Sequence, residues 1–184
     1  MIDIIVLIFL GAILAVVLLF FTIYSFGFFS TYNSAPFVRI PKNILPKIIE
    51  LLDIKDNSVV YDLGCGDGRV ILECHKHNQE AQYIGIEKST MPYIFARIKT
   101  RKIDKIKILR GDFFKKDLAQ ATHLFLYLLP KTMDELLPKL EKELASGTKL
   151  VSFNFSFSKK HLEEIIEFLN PKQKRSGLLY LYRF

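Results

Sequence analysis

The sequence predicts an α/β fold: a mostly parallel sheet with an antiparallel edge strand, preceded by one membrane-spanning helix. Three observations carry that expectation. Val59-Val60-Tyr61-Asp62-Leu63-Gly64-Cys65-Gly66-Asp67-Gly68-Arg69 is a β-branched and aromatic run that meets three alternate glycines, after which an apolar helical pattern opens. Two later runs, Gln82–Glu87 and Ile106–Arg110, read as further strands, the first ending in an acid and the second leading into Gly111-Asp112. From Ile4 to Phe29 there is no charged residue.

The glycines have a physical purpose. Without Cβ atoms they accept positive φ in a tight turn and let a ligand approach the backbone. The helix behind them points unpaired N–H groups at that ligand. A dinucleotide fingerprint needs G-x-G-x-x-G, with the pyrophosphate on the helix N-terminus. Here the spacing is Gly64-x-Gly66-x-Gly68, with Asp62 before it and Asp67 inside it. Two carboxylates repel a pyrophosphate and attract a sulfonium or an α-ammonium group. Glu87 follows at the place where doubly wound folds put the carboxylate that accepts ribose hydroxyls.

Composition bears on location and partners. Half of the residues are hydrophobic, and the excess lies at the N-terminus. About 20 apolar residues cross a bilayer, so 1–30 is expected to be a transmembrane anchor. Tyr24, Phe26, Phe28, Phe29 and Tyr32 suit an interfacial belt. A signal peptide wants a basic start and a small-x-small cleavage site, and Asp3 is the only charge before the run. Arg39, Lys42 and Lys47 follow the span and no Lys or Arg precedes it, which predicts a cytoplasmic C-terminal side. The formal net charge is +7, all of the Lys and Arg lying beyond the span. No basic cluster is interleaved with stacking aromatics, so anionic lipid or plain solvation is preferred to a nucleic-acid partner. Cys65 and Cys74 form no disulfide or metal pattern, and His75 and His77 lack a third ligand at metal spacing.

In chain order, 31–42 is a proline-punctuated connector that could serve as a stiff tether. A single folded domain is expected over 43–184. Asn43–Leu52 is amphipathic, packing on the sheet edge. Helices are expected over Arg69–His77 and over Thr90–Lys102, the latter capped by Ser89 or Thr90 with Pro92 just inside. Thr122–Leu128 is almost wholly apolar, as a central parallel strand should be. Lys131–Leu144 repeats apolar residues at helical spacing and is stopped by Gly147. Thr148–Phe155 is the next strand. His161–Leu169 fits a helix or a short strand, and Gly177–Phe184 is expected as the antiparallel edge strand.

Taken together, Asp-Leu-Gly-x-Gly-Asp-Gly-Arg, Gly-Ile-Glu, Gly-Asp-Phe-Phe and Tyr-Leu-Leu-Pro resemble class I S-adenosylmethionine-dependent methyltransferases. With the apolar N-terminus and the Pro-Phe-Val connector, they are similar to the membrane-anchored protein-lysine methyltransferases of ATP synthase c-subunit and adenine nucleotide translocase. The resemblance implies a Rossmann-like class I methyltransferase sheet that binds S-adenosyl-L-methionine through Asp62, Gly64, Cys65, Gly66, Asp67, Gly68 and Glu87. It further implies Asp112 at the adenine amino group, Phe113 as an apolar wall and Phe37 as a lid. Tyr127, Leu128 and Pro130 fall where the methyl group is transferred, with Tyr127 and the Leu128-Leu129 carbonyls positioning the acceptor amine. No metal is implied. Base-directed N-methyltransferases carry an acid or Asn at this strand end, and Tyr127-Leu128-Leu129-Pro130 has neither. Three readings follow: methyl transfer to lysine of a membrane or membrane-adjacent protein, transfer to a small or lipid-like acceptor, and non-catalytic cofactor binding.

Overall fold

The computed structural model describes residues 2–32, 38–170 and 175–184. The chain divides into two compact units, Met1–Pro36 and Phe37–Phe184.

The first unit is a helix, α1 (Ile2–Tyr32). Its stretch Ile4–Ser25 is long and apolar enough to cross a membrane, and none of it is buried. Such a helix is apolar all round, so it has no polar face to give to water. Of the expected interfacial aromatics, Tyr24 is exposed; the side chains of Phe26, Phe28, Phe29 and Tyr32 lie outside the described residues, as does Phe37.

The second unit is a seven-stranded sheet. Its strands are β1 (Val59–Leu63), β2 (Gln82–Glu87), β3 (Ile106–Arg110), β4 (His123–Leu126), β5 (Lys149–Phe153), β6 (Glu164–Asn170) and β7 (Arg175–Arg183). Their order is β3-β2-β1-β4-β5-β7-β6, the first five parallel and β7 antiparallel to both neighbours. The order reverses at β1, between β2 and β4, which in open α/β sheets is where a crevice opens beyond the carboxyl ends of the strands.

Alternation along the strands splits the core into two layers. Val60, Phe125, Val151 and Phe153 face helices α2 (Leu45–Leu52) and α3 (Arg69–His77), and Ala96 of α4 (Thr90–Thr100) joins that layer. Tyr61, Leu63, Leu124, Leu126 and Leu150 face α5 (Pro130–Glu143) through Met133, Leu136, Leu137 and Leu140. The apolar spacing of α2, α3 and α5 therefore faces one side of a sheet buried on both.

Of the two readings of 161–169 the strand holds, because 164–170 pairs with β7 over its whole length as β6. Several other expectations are corrected. β6 takes the edge, so the closing strand β7 is internal between β5 and β6. α2 lies against α3 and β5, on a sheet face and not at an edge. β4 ends at Leu126, where its pairing with Leu63 of β1 runs out, so Tyr127 and Leu128 belong to the following loop. Pro130 opens α5 as its first residue, which suits a side chain without an N–H to satisfy. Helix α5 stops at Glu143; Gly147, at φ 89°, belongs to the next turn and donates its N–H to the Phe184 carbonyl. Ser89 caps α4 with extended backbone but without a side-chain bond.

Candidate active site

The glycine loop joins the tip of β1 to the start of α3. Gly64, Gly66 and Gly68 have φ of 81°, 55° and 76°, a region that L side chains enter only with strain. The N–H groups of Gly64 and Cys65 both donate to the Ile86 carbonyl, at 2.8 and 3.1 Å, which ties the loop to β2. A Cβ on Gly64 would stand 3.2 Å from Leu128 Cδ2, so the β4–α5 loop packs directly on the glycine loop. Asp62, Glu87, Asp112 and Tyr127 thus stand at or just beyond the carboxyl ends of adjacent parallel strands.

Asp62 is 3% exposed, and its Oδ2 has no hydrogen-bond partner among the described residues. Burial first, and then the Glu87 and Asp67 carboxylates, push its carboxyl up to about 8. A buried acid of this kind needs a cation or donor to complete it. Glu87 has both oxygens engaged: Oε2 accepts from the Gly66 N–H at 2.9 Å and Oε1 from the Ser89 N–H at 2.7 Å. Each oxygen keeps a second lone pair for a hydroxyl. Asp112 accepts from the Phe114 N–H at 3.0 Å and lies 3.7 Å from Lys88 Nζ. Phe113, half-buried, packs on Phe114 with ring centroids 4.9 Å apart.

Asp67 is placed differently from the other acids. Its carboxylate meets Lys99 Nζ at 2.8 Å, Arg69 Nε at 3.2 Å and Arg39 Nε at 3.9 Å. Burial works to raise its pKa, but the hydrogen bonds from Arg69 and Lys99 outweigh that and hold it below the usual carboxylate range. Its charge is matched within the protein, whereas no cation reaches Asp62 among the described residues. Arg69 also donates to the Ile40 carbonyl at 2.8 Å, fastening the end of the connector to the loop. Sequence spacing carries no sign of Lys99, which reaches Asp67 from α4.

Cys65 is buried, and burial pushes its thiol well up. It fills the space over Gly85 of β2, where an added Cβ would lie 2.7 Å from its Sγ. The sequence signal for Gly85, which the motifs do not include, is a glycine inside a strand pattern. His123 sits at the opposite end of β4 from the loop, where burial first, with Lys149 next, lowers its pKa to about 4. Among the described residues no group of His, Cys, Asp and Glu is arranged to hold a metal.

Beyond β4 and β5 three aromatic rings gather. Tyr127 lies 5.0 Å from Phe153 and 6.2 Å from Phe155 between centroids, nearly parallel to the latter at 16°. Leu128 is half-buried, while Leu129 and Pro130 are exposed.

A family model described as the ANTKMT methyltransferase domain matches residues 62–164. The chain belongs to that methyltransferase family. A protein-lysine N-methyltransferase of Saccharolobus islandicus is 31% identical over 149 residues, covering 79% of this chain and 92% of that one. The mouse lysine N-methyltransferase of the ATP synthase c-subunit is 26% identical over 125 residues, 66% of this chain and 49% of that protein. Among solved structures, an RNA methyltransferase from Salinibacter ruber in complex with S-adenosyl-L-homocysteine has a TM-score of 0.72 at 29% identity, covering 79% of this chain and 93% of that one. The methyltransferase thus uses S-adenosyl-L-methionine.

Proposed function

We propose that this methyltransferase N-methylates lysine in a membrane or membrane-adjacent protein. The observation that carries the reading is the half-buried pair Tyr127 and Phe155, backed by the buried Phe153, beside a loop without acid or amide. Aromatic faces receive the apolar stem of a lysine and the cationic amine it becomes, whereas an exocyclic base amine wants an acceptor side chain. The lysine methyltransferases among its relatives support the same acceptor.

S-adenosyl-L-methionine, when bound, supplies a methyl group made electrophilic by its sulfonium. Asp62 takes its positive charge, the glycine loop through Gly68 lets it approach the backbone, Glu87 takes the ribose, and Asp112 with Phe113 takes the adenine. Cys65 shapes the loop from beneath, and Asp67 holds it through Lys99 and Arg69. Tyr127, Leu128 and Pro130 shape the acceptor entrance, and closeness to apolar groups favours the neutral amine that transfer requires. Residues 1–30 anchor the enzyme, 31–42 connect it with Phe37 as lid, and 43–184 carry out catalysis on the cytoplasmic side.

Radiolabelled methyl transfer into a membrane extract, separated into protein, lipid and RNA, tests the reading. Label in protein, recovered as methyl-lysine after hydrolysis, is expected. Label confined to lipid or RNA overturns it.

A further inference from the structure

Helix α4 carries an apolar face with nothing packed on it among the described residues. At about 100° per residue, Tyr93, Ala96 and Thr100 share one side, where Ala96 and Thr100 are buried. Met91, Ile94, Phe95 and Ile98 share the opposite side, at the i, i+3, i+4, i+7 spacing of a packing stripe. They are 60%, 39%, 47% and 55% exposed. A helix of this length on a water-facing domain ordinarily turns its polar side outward. Here the outward side is the apolar one.

The charges around the stripe say what covers it. From Thr90 to Ile103 there is no acid, and Arg97, Lys99, Arg101 and Lys102 are all basic. On the same helical wheel Arg97 and Arg101 lie along one edge of the stripe, while Lys99 at the other edge is held by Asp67. An apolar stripe bordered by the cations Arg97, Arg101 and Lys102, with no acid in the segment, matches the boundary between acyl chains and anionic headgroups. A second copy of this chain matches it poorly, because a two-fold pairing would set like charges against each other.

We propose that the Met91, Ile94, Phe95 and Ile98 face of α4 seats the catalytic domain in the headgroup region of an anionic bilayer. The proposal rests on the anchored reading above. It gives the domain one orientation: α4 begins just after Glu87, so the strand tips that form the site are held beside the lipid surface.

The test uses the full chain in phosphatidylcholine vesicles with and without phosphatidylglycerol. Ile98→Cys on α4 and Glu141→Cys on α5, which packs on the other sheet face, are each labelled with an environment-sensitive fluorophore. The native Cys65 and Cys74 are buried and stay unlabelled. Expected are a blue shift and several-fold stronger quenching by spin-labelled lipid at position 98 than at 141, deepest with phosphatidylglycerol and reduced by Ile94→Ser with Phe95→Ser. Full-length protein that floats with vesicles but is quenched equally at both positions overturns this proposal alone. A blue shift at 98 that follows protein concentration and ignores lipid assigns the face to self-association and overturns it too. Protein that floats with neither vesicle, and is not carried into lipid by detergent removal, overturns the anchored reading and this one together.

Discussion

The Glu87 carboxylate accepts the Gly66 N–H at 2.9 Å, joining the tip of β2 to the middle of the glycine loop. Its other oxygen accepts from Ser89 at the start of α4. One buried acid therefore fixes two chain segments and, in the proposed role, the ribose as well. Glu87→Gln keeps the shape but turns one acceptor into a donor, which must face an N–H. An unsatisfied buried N–H costs about 1–3 kcal/mol. The variant is expected to melt earlier and to bind S-adenosylhomocysteine at least tenfold more weakly, the first read by calorimetric scanning and the second by titration. A wild-type melting temperature with weakened binding would assign Glu87 to the ligand alone.

In its proposed role beside the sulfonium, Asp62 is expected to make ligand affinity depend on pH. Its carboxyl titrates at about 8 in the folded chain, well above the ordinary carboxylate range. The unfolded chain loses this proton near pH 4. Between these limits the folded state holds the extra proton, so Asp62's contribution to stability is complete below about 4 and fades as pH rises to about 8. A cation bound beside Asp62 favours the ionised form, so binding releases the proton. Affinity for S-adenosylmethionine is expected to rise from pH 6 to about 8. Calorimetry in buffers of different ionisation heat should record release of up to one proton per site. Asp62→Asn should abolish both the release and the slope; a release unchanged in that variant would place the titrating group elsewhere.

Gly85 and Cys65 share one packing site across β1 and β2. A methyl on Gly85 would lie 2.7 Å from Cys65 Sγ, 2.8 Å from Ile71 Cδ1 and 2.9 Å from Ile108 Cδ1. Overpacking of this kind costs about 1–3 kcal/mol. Gly85→Ala should lower the denaturant midpoint, and Cys65→Ala in the same chain should recover part of the loss, since it removes the nearest clash. Additive effects in the double variant would show that the two positions do not share the space.

What could be read from the sequence was what leaves a local trace. The glycines of the loop and the acids at the ends of β1 and β2 and just after β3 announce themselves through residue type and spacing. The rest depended on partners distant in the chain. Leu162, Ile165, Ile166 and Leu169 have helical spacing, but pairing such as Ile166 with Leu179 makes that segment a strand. The apolar run through Leu128 hides the end of β4, which is set by the length of its neighbour β1. Asp67 reads as a ligand acid because nothing nearby in sequence reveals Lys99 beside it. Tyr127 is legible as a strand-end residue, whereas its neighbour Phe155 needs the sheet to bring β4 and β5 side by side.

That aromatic neighbourhood gives the acceptor site its own test. Tyr127 offers a ring that stacks on Phe155 and, in the proposed role, a hydroxyl for the acceptor amine. Tyr127→Phe keeps the stack and removes only the hydroxyl, while Tyr127→Ala opens the cluster. If the residue positions the acceptor, turnover should fall about tenfold in the first variant and about a hundredfold in the second. Binding of S-adenosylhomocysteine should stay within about twofold in both, because Tyr127 acts on the acceptor side of the reaction. Steady-state methyl transfer beside calorimetric titration separates the two effects. Unchanged turnover in both variants would remove Tyr127 from the reaction, and a parallel loss of cofactor binding would make it a part of the cofactor pocket.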